Sequence, residues 1–134
     1  VAVKEASSNR DQILEILNNR PEGFAVLSGN DDETFDLMKN GAEGIISVAS
    51  NIVPAMVAEL SHNMLEGKVD EAEAMHAKLL PLFKNCFVES NPIPTKAALN
   101  AMGLMENELR LPLVPASQSA YDLMVQTVKE LGIL

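Results

Sequence analysis

Lys4 follows the apolar run Val1-Ala2-Val3 and precedes Glu5-Ala6-Ser7. A strand-like run ending in lysine has a specific use if it belongs to a parallel barrel. Its C-terminal end then faces the mouth where such barrels hold their substrates. In an apolar, partly dry site, desolvation disfavours the ammonium and pushes the lysine toward its neutral amine. That amine attacks a keto carbonyl and forms a Schiff base. The plainer alternative is a strand-end lysine with its ammonium in water.

Two further segments would lie at the same mouth. Ser28-Gly29-Asn30-Asp31-Asp32-Glu33 follows a second apolar run. Gly29 lets backbone approach a ligand closely. The acidic residues fit the first turn of a helix, where the dipole favours negative charge. Their spacing is not that of a calcium loop, so a cap is favoured over a metal site. Gly41-Ala42-Glu43-Gly44 leads into Ile45-Ile46-Ser47-Val48. The carbonyl of Ile46 and the hydroxyl of Ser47 fall near the end of that third run. Cys86 stands alone among Leu82, Phe83, Phe87 and Val88 and reads as a buried structural thiol. His62 and His76 lack metal-ligand spacing, and no metal is assigned.

These residues need elements to hold them. Val1 to Lys4, Phe24 to Ser28 and Gly44 to Val48 are apolar on consecutive positions, as strands buried on both faces should be. Between them run amphipathic stretches carrying Ile13, Leu14, Ile16 and Leu17, then Phe35, Leu37 and Met38. A third, with Ile52, Val53, Met56, Val57, Leu60 and Met64, stops near Gly67. This alternation is the pattern of a parallel sheet with helices outside it. From Val69 the strand pattern ends. Val69, Ala72, His76, Leu79, Phe83 and Phe87 mark a long helix that Pro81 should kink. Asn91-Pro92 opens another helix ending near Gly103, Leu111 to Pro115 must be extended, and Ser117 caps a last helix. The expected fold is α/β: the C-terminal portion of a (β/α)8 TIM barrel, residues 1–67, followed by a helical region, residues 68–134. A full barrel takes ~250 residues, so the 134 residues here hold about three βα units. The alternative from pattern alone is a small open α/β domain with a helical extension.

Composition narrows the partners. The formal net charge is −9, with only ten Lys and Arg and no basic stripe, which argues against nucleic acid. No apolar run reaches the ~18 residues of a membrane helix. One cysteine cannot form an internal disulfide, and a reducing cytoplasm is the simplest compartment. The abrupt start within an apolar run reads as a cut end.

Five segments occur in one order: Val3 to Ser7, Leu27 to Asp31, Gly44 to Asn51, Asn91 to Lys96 and Leu109 to Leu113. As a set they resemble the dihydrodipicolinate synthase (4-hydroxy-tetrahydrodipicolinate synthase) family over essentially the whole chain. The Lys-Glu-Ala segment alone is shared with other pyruvate-dependent aldolases. The Asn-Pro-Ile-Pro and Arg-Leu-Pro segments favour the synthases over N-acetylneuraminate lyase and the keto-deoxy sugar-acid aldolases.

The resemblance implies that Lys4 forms the imine with pyruvate and that Ile46 contributes to the pyruvate site through its backbone. It places Gly29 and Asn30 in a loop beside the second-substrate pocket. It implies condensation of pyruvate with aspartate semialdehyde toward lysine and diaminopimelate, no metal or organic cofactor, and a homotetramer. The family's Gly-Thr-Thr-Gly-Glu loop, catalytic tyrosines, semialdehyde-binding arginine and most of its lysine feedback site belong to earlier strands and are absent from these residues. The chain alone is therefore expected to be inactive, with the N-terminal half of the barrel as its necessary complement. The rivals are a related sugar-acid aldolase and a non-catalytic half-barrel module.

Overall fold

The structure, a computed structural model, describes all 134 residues. Three strands form one sheet in the order β1 (Ala2–Glu5), β2 (Ala25–Ser28), β3 (Gly44–Ile45). Both pairings are parallel, as the alternation of apolar runs predicts. Val3 pairs with Val26, Lys4 with Leu27 and Leu27 in turn with Gly44.

The two crossovers are helical. In α1 (Arg10–Asn19), the side chain of Asn9 accepts the Gln12 amide at 3.2 Å and caps the first turn. Ile13 and Leu17, four residues apart, bury one stripe against the sheet, and the helix is over before Pro21. In α2 (Thr34–Lys39), Leu37 and Met38 are buried. Together with Val26 and Ala42 these side chains form a small core on one face of the sheet. Alternation along the strands puts Val3, Val26 and Ser28 toward that helical layer, and Ala2, Lys4, Ala25 and Leu27 toward the other face. At the start of the strands, Glu43 ties the sheet to α1. Its carboxylate accepts the Val26 amide at 2.9 Å and lies 2.7 Å from Arg20 Nη1. Burial pushes the Glu43 carboxyl up, but the Val26 amide and the Arg20 guanidinium outweigh it and hold the group below the usual carboxylate range.

The third strand is shorter than the apolar run from Gly44 to Val48 suggests. Ile46 still donates its amide to the Ser28 carbonyl at 2.8 Å. The chain then turns into a single 3-10 turn at Ala49–Asn51, because a buried carboxylate collects its amides. Lys4 is likewise not the last strand residue: Glu5 extends β1 and pairs with Ser28.

Helix α3 (Pro54–Leu65) begins on proline, whose fixed φ suits the first turn. It closes at Gly67, whose φ of +74° only glycine adopts without strain. There the amide of Lys68 returns to the Asn63 carbonyl at 2.8 Å. Helices α4 (Val69–Asn85), α5 (Ile93–Ala101) and α6 (Gln118–Glu130) follow. Ser117 caps α6 by accepting the Ala120 amide at 3.3 Å, as its sequence position suggests. Helix α4 ends at Asn85, so Phe87 falls outside it and is exposed, while Cys86 turns inward. Leu111 to Pro115 is not extended throughout: it opens with a turn at Leu111 and Pro112, where the Leu113 amide closes onto the Arg110 carbonyl at 3.1 Å, and from Leu113 on it has neither turn nor helix.

The larger core joins the turn after β3 to the helices. Ile52, Val53, Val57 and Leu60 pack with Ala72, Leu79, Leu82 and Phe83 of α4, Ala98 of α5, and Met124 and Val128 of α6. Each large apolar side chain buried there contributes about 1.5–3 kcal/mol before entropy is counted.

Candidate functional site

The site is built where the strands end. Lys4 lies on the sheet face that none of the helices covers, and it is exposed. The apolar, partly dry surroundings expected for it are therefore not supplied by this chain. Val3 and Glu5, on the opposite face, carry the local burial.

Gly29 comes directly after β2 and takes up the space beside Lys4. A methyl group added at Gly29 would lie 2.8 Å from Lys4 Cε, 2.6 Å from Ala6 Cβ and 3.1 Å from the Glu5 carbonyl oxygen. The first two approaches are closer than packed carbons tolerate, and the third is tight. The Gly29 amide donates to the Glu5 carbonyl at 2.7 Å, which fixes the close approach. The glycine thus clears a channel for the lysine arm. Its contact is with Lys4 itself.

The next residues are held by polar side chains. Asn30 donates to Ser8 Oγ at 3.0 Å and to Glu33 Oε2 at 2.8 Å, joining the loops after β1 and β2. Below them, the buried hydroxyl of Thr34 donates to Ser28 Oγ at 3.0 Å and lies 2.9 Å from the Asn30 carbonyl. Glu5 accepts the Ser7 amide at 2.7 Å. The Ser7 hydroxyl and amide together hold the Glu5 carboxyl below its ordinary range, against the opposing effect of burial. The loop after β1 is therefore ordered around an ionised carboxylate.

Asp31 departs from its expected role. Its type and position suggest a cap on its own helix. It is instead 2 % exposed and points across to the end of β3. It accepts the Ser47 hydroxyl, the Val48 amide at 3.0 Å and the Ala49 amide at 3.4 Å. Ser47 Oγ in turn accepts the Ser50 amide at 2.8 Å. The backbone of Ile46 is therefore held on both sides. Its amide is in the ladder, and its successor is bound to Asp31. The Ile46 side chain is half-exposed on the strand-end surface.

The structure thus brings Lys4 and Gly29 into contact, ties Asn30 to the loop after β1, and sets Ile46 at the end of the neighbouring strand. Cys86 belongs elsewhere. It is buried in the helical core, and that burial pushes its thiol up to about 12, which makes it inert. His62 is exposed on α3. His76 stacks on Phe35 with ring centroids 5.6 Å apart. No group of side chains has the makings of a metal site, and no helix is long and apolar enough to cross a membrane. A groove of about 400 Å³ follows the outer edge of β3, between Leu27, Ile45 and Ser47 and the α3 residues Val57, Ala58 and Leu65. A larger cleft of about 560 Å³ lies between α5 and the segment after it, with Lys96, Glu106 and Arg110 on its walls. It contains none of the strand-end residues.

With this geometry in place, comparison with known proteins gives a consistent picture. Residues 1–131 match the model of the dihydrodipicolinate synthetase family. The 4-hydroxy-tetrahydrodipicolinate synthase of Thermosipho melanesiensis is 47 % identical over 133 residues, covering 99 % of this chain and 46 % of that protein. The crystal structure of dihydrodipicolinate synthase from Thermotoga maritima superposes with a TM-score of 0.97 at 47 % identity, over 100 % of this chain and 46 % of the other. The chloride-inhibited dihydrodipicolinate synthase from Acinetobacter baumannii, complexed with pyruvate, gives a TM-score of 0.95 at 33 % identity, over 100 % and 46 %. The chain spans about half the length of the curated relatives it matches.

Proposed function

The chain belongs to the dihydrodipicolinate synthetase family, and on that premise we propose that it supplies the imine-forming part of a pyruvate-condensing lyase. Lys4 is the nucleophile. Its neutral amine attacks the keto carbon of pyruvate, and water leaves to give the imine. The protonated imine draws electrons from the adjacent methyl group, which loses a proton and becomes an enamine carbon. That carbon attacks the aldehyde of aspartate semialdehyde. Cyclisation by the product's amine then displaces Lys4 and restores it. The general acid and the dry wall around Lys4 come from barrel strands of the kind that the relatives carry beyond the matched portion. The chain by itself therefore does not turn over. We take the completed enzyme to be a cytoplasmic homo-oligomer that uses neither metal nor organic cofactor. Ile46 contributes to the pyruvate site through its backbone. Gly29 and Asn30 border the place of the second substrate, and the barrel portion gives way to the helical region at 67/68.

The observation that carries this reading is the Lys4 arm lying against Gly29 on the one sheet face left free of helices. A barrel interior needs that arrangement, and a surface lysine does not. Support for pyruvate as the first substrate comes from the Acinetobacter baumannii relative described as complexed with it.

The test is chemical. With the remaining barrel strands supplied, pyruvate followed by borohydride should convert the imine to a stable secondary amine on Lys4. Lys39, Lys68, Lys78, Lys84, Lys96 and Lys129 serve as internal controls. Lys4→Ala should lose the adduct and reduce turnover by orders of magnitude. Lys4→Arg should fail equally, because a guanidinium stays charged. An adduct mapped to another lysine, or full turnover by Lys4→Ala, rules the mechanism out.

A further inference from the structure

We propose that Asp31 is a positioning residue for the keto-acid site: its buried carboxylate sets the backbone of Ile46 by binding the turn that follows it. The inference rests on the reading of Ile46 given above and assigns a role to a residue outside the set identified there.

A carboxylate that is 2 % exposed has given up its hydration and needs donors in return. None of the donors it binds belongs to its own loop. They are the Ser47 hydroxyl and the amides of Val48 and Ala49, sixteen to eighteen residues away. This is a capping arrangement in which the cap comes from a neighbouring strand's loop. A residue within the turn could cap it more simply, and Ser47 already binds the Ser50 amide. What the longer connection adds is a fixed relation between two strand ends. Asp31 is two residues beyond Gly29, which touches the lysine arm, and its acceptors hold the residues that follow Ile46. The loop from Ser28 to Thr34 therefore relates the imine-forming amine to the backbone proposed to receive the keto acid. Thr34 and Ser28 brace that loop from beneath. With the Asp31 donors released, the Ile46 amide stays on the Ser28 carbonyl and Ser47 stays bonded to Ser50 within its own turn, but no side chain ties the peptide after Ile46 to the neighbouring strand's loop.

The test uses the barrel completed with its remaining strands, with active sites counted by borohydride trapping of pyruvate on Lys4. Asp31→Ala should raise the KM for pyruvate roughly tenfold, while kcat per trapped site changes far less. Asp31→Asn should recover most of the loss, since its carbonyl oxygen can accept both amides and its NH2 can donate to Ser47 Oγ. Ser47→Ala removes the hydroxyl's bond to Asp31 and its acceptance of the Ser50 amide, and it leaves the Val48 and Ala49 amides served by Asp31. It should raise KM by roughly threefold, and it decides the matter if Asp31→Ala does not fold. A purely structural cap predicts something different: fewer trappable sites, each with unchanged KM. That result in Asp31→Ala, or in Ser47→Ala where the first variant is unfolded, overturns the proposal. If the unaltered protein traps no pyruvate on Lys4, the failure lies in the proposed function and is recognised there first.

Discussion

Gly29 is where a single atom matters most. Three neighbours surround the missing side chain, and they differ in how far they can yield. Lys4 Cε is the flexible end of a long arm and can swing away. Ala6 Cβ and the Glu5 carbonyl are anchored in backbone and cannot. Gly29→Ala should therefore displace the lysine and also strain the β1–β2 contact, costing about 1–3 kcal/mol of stability. Its more telling effect should be on chemistry: slower trapping of pyruvate on Lys4 at saturating pyruvate, in protein that remains folded. Equal trapping rates in the two proteins would show that the channel is not needed. The placement of Lys4 and Gly29 side by side at neighbouring strand ends was legible in the sequence, because each stands at the end of an apolar run. The role of Asp31 was not legible. An aspartate just before a helix reads as that helix's own cap, and only tertiary packing shows that its carboxylate is turned toward the next strand's turn.

At the scale of elements, the helices followed their patterns closely and the last strand did not. Helical spacing, the proline starts and the glycine stop are local properties, so α3, α5 and α6 begin and end near the expected residues. Strand length depends on what the neighbouring loop demands, which is why β3 stops at Ile45 inside a longer apolar run. Helix α4 carries a titratable group within its packed stripe. His76 stands between Phe35 and Phe83, with ring centroids 5.6 and 5.8 Å away, and its Nδ1 is buried without a partner. Burial lowers its pKa, against the opposing fields of Asp32 and Glu73. Because the folded value lies below the unfolded one, the unfolded chain binds the proton more readily. Stability is then full above about pH 6.5 and declines as pH falls through the window beneath it. His76→Leu should flatten that part of the Tm-against-pH curve. The steeper loss at lower pH, from ionised carboxylates such as Glu5 and Glu43, should remain. Parallel curves for the two proteins between about pH 7 and 5 would remove His76 from the account.

The whole molecule is an unfinished surface in three places. With β1 and β3 outermost, each presents an unpaired strand edge. The sheet face carrying Lys4 and Leu27 has helices on its other side only. The groove beside β3 opens onto apolar side chains of α3. Edges of this kind pair readily with other chains, and uncovered apolar faces add to the drive. The opposing force is the net charge of −9. At ordinary salt that repulsion is screened beyond about 10 Å, whereas edge pairing acts at hydrogen-bonding distance. Association should therefore win, and more clearly as salt rises. Light scattering on the purified 134-residue chain should give masses well above the 14.5 kDa of one copy, increasing from low to moderate ionic strength. Supplying the remaining strands of the barrel should suppress this association, because they occupy the edges and the open face together. Retained helical circular dichroism separates the idea from simple unfolding, since an unfolded acidic chain would also scatter but would lose the helical signal of α3 to α6. A compact particle of one copy, unchanged on dilution and indifferent to added strands, would mean that the open edges are tolerated, and would favour the self-sufficient module over the partial barrel.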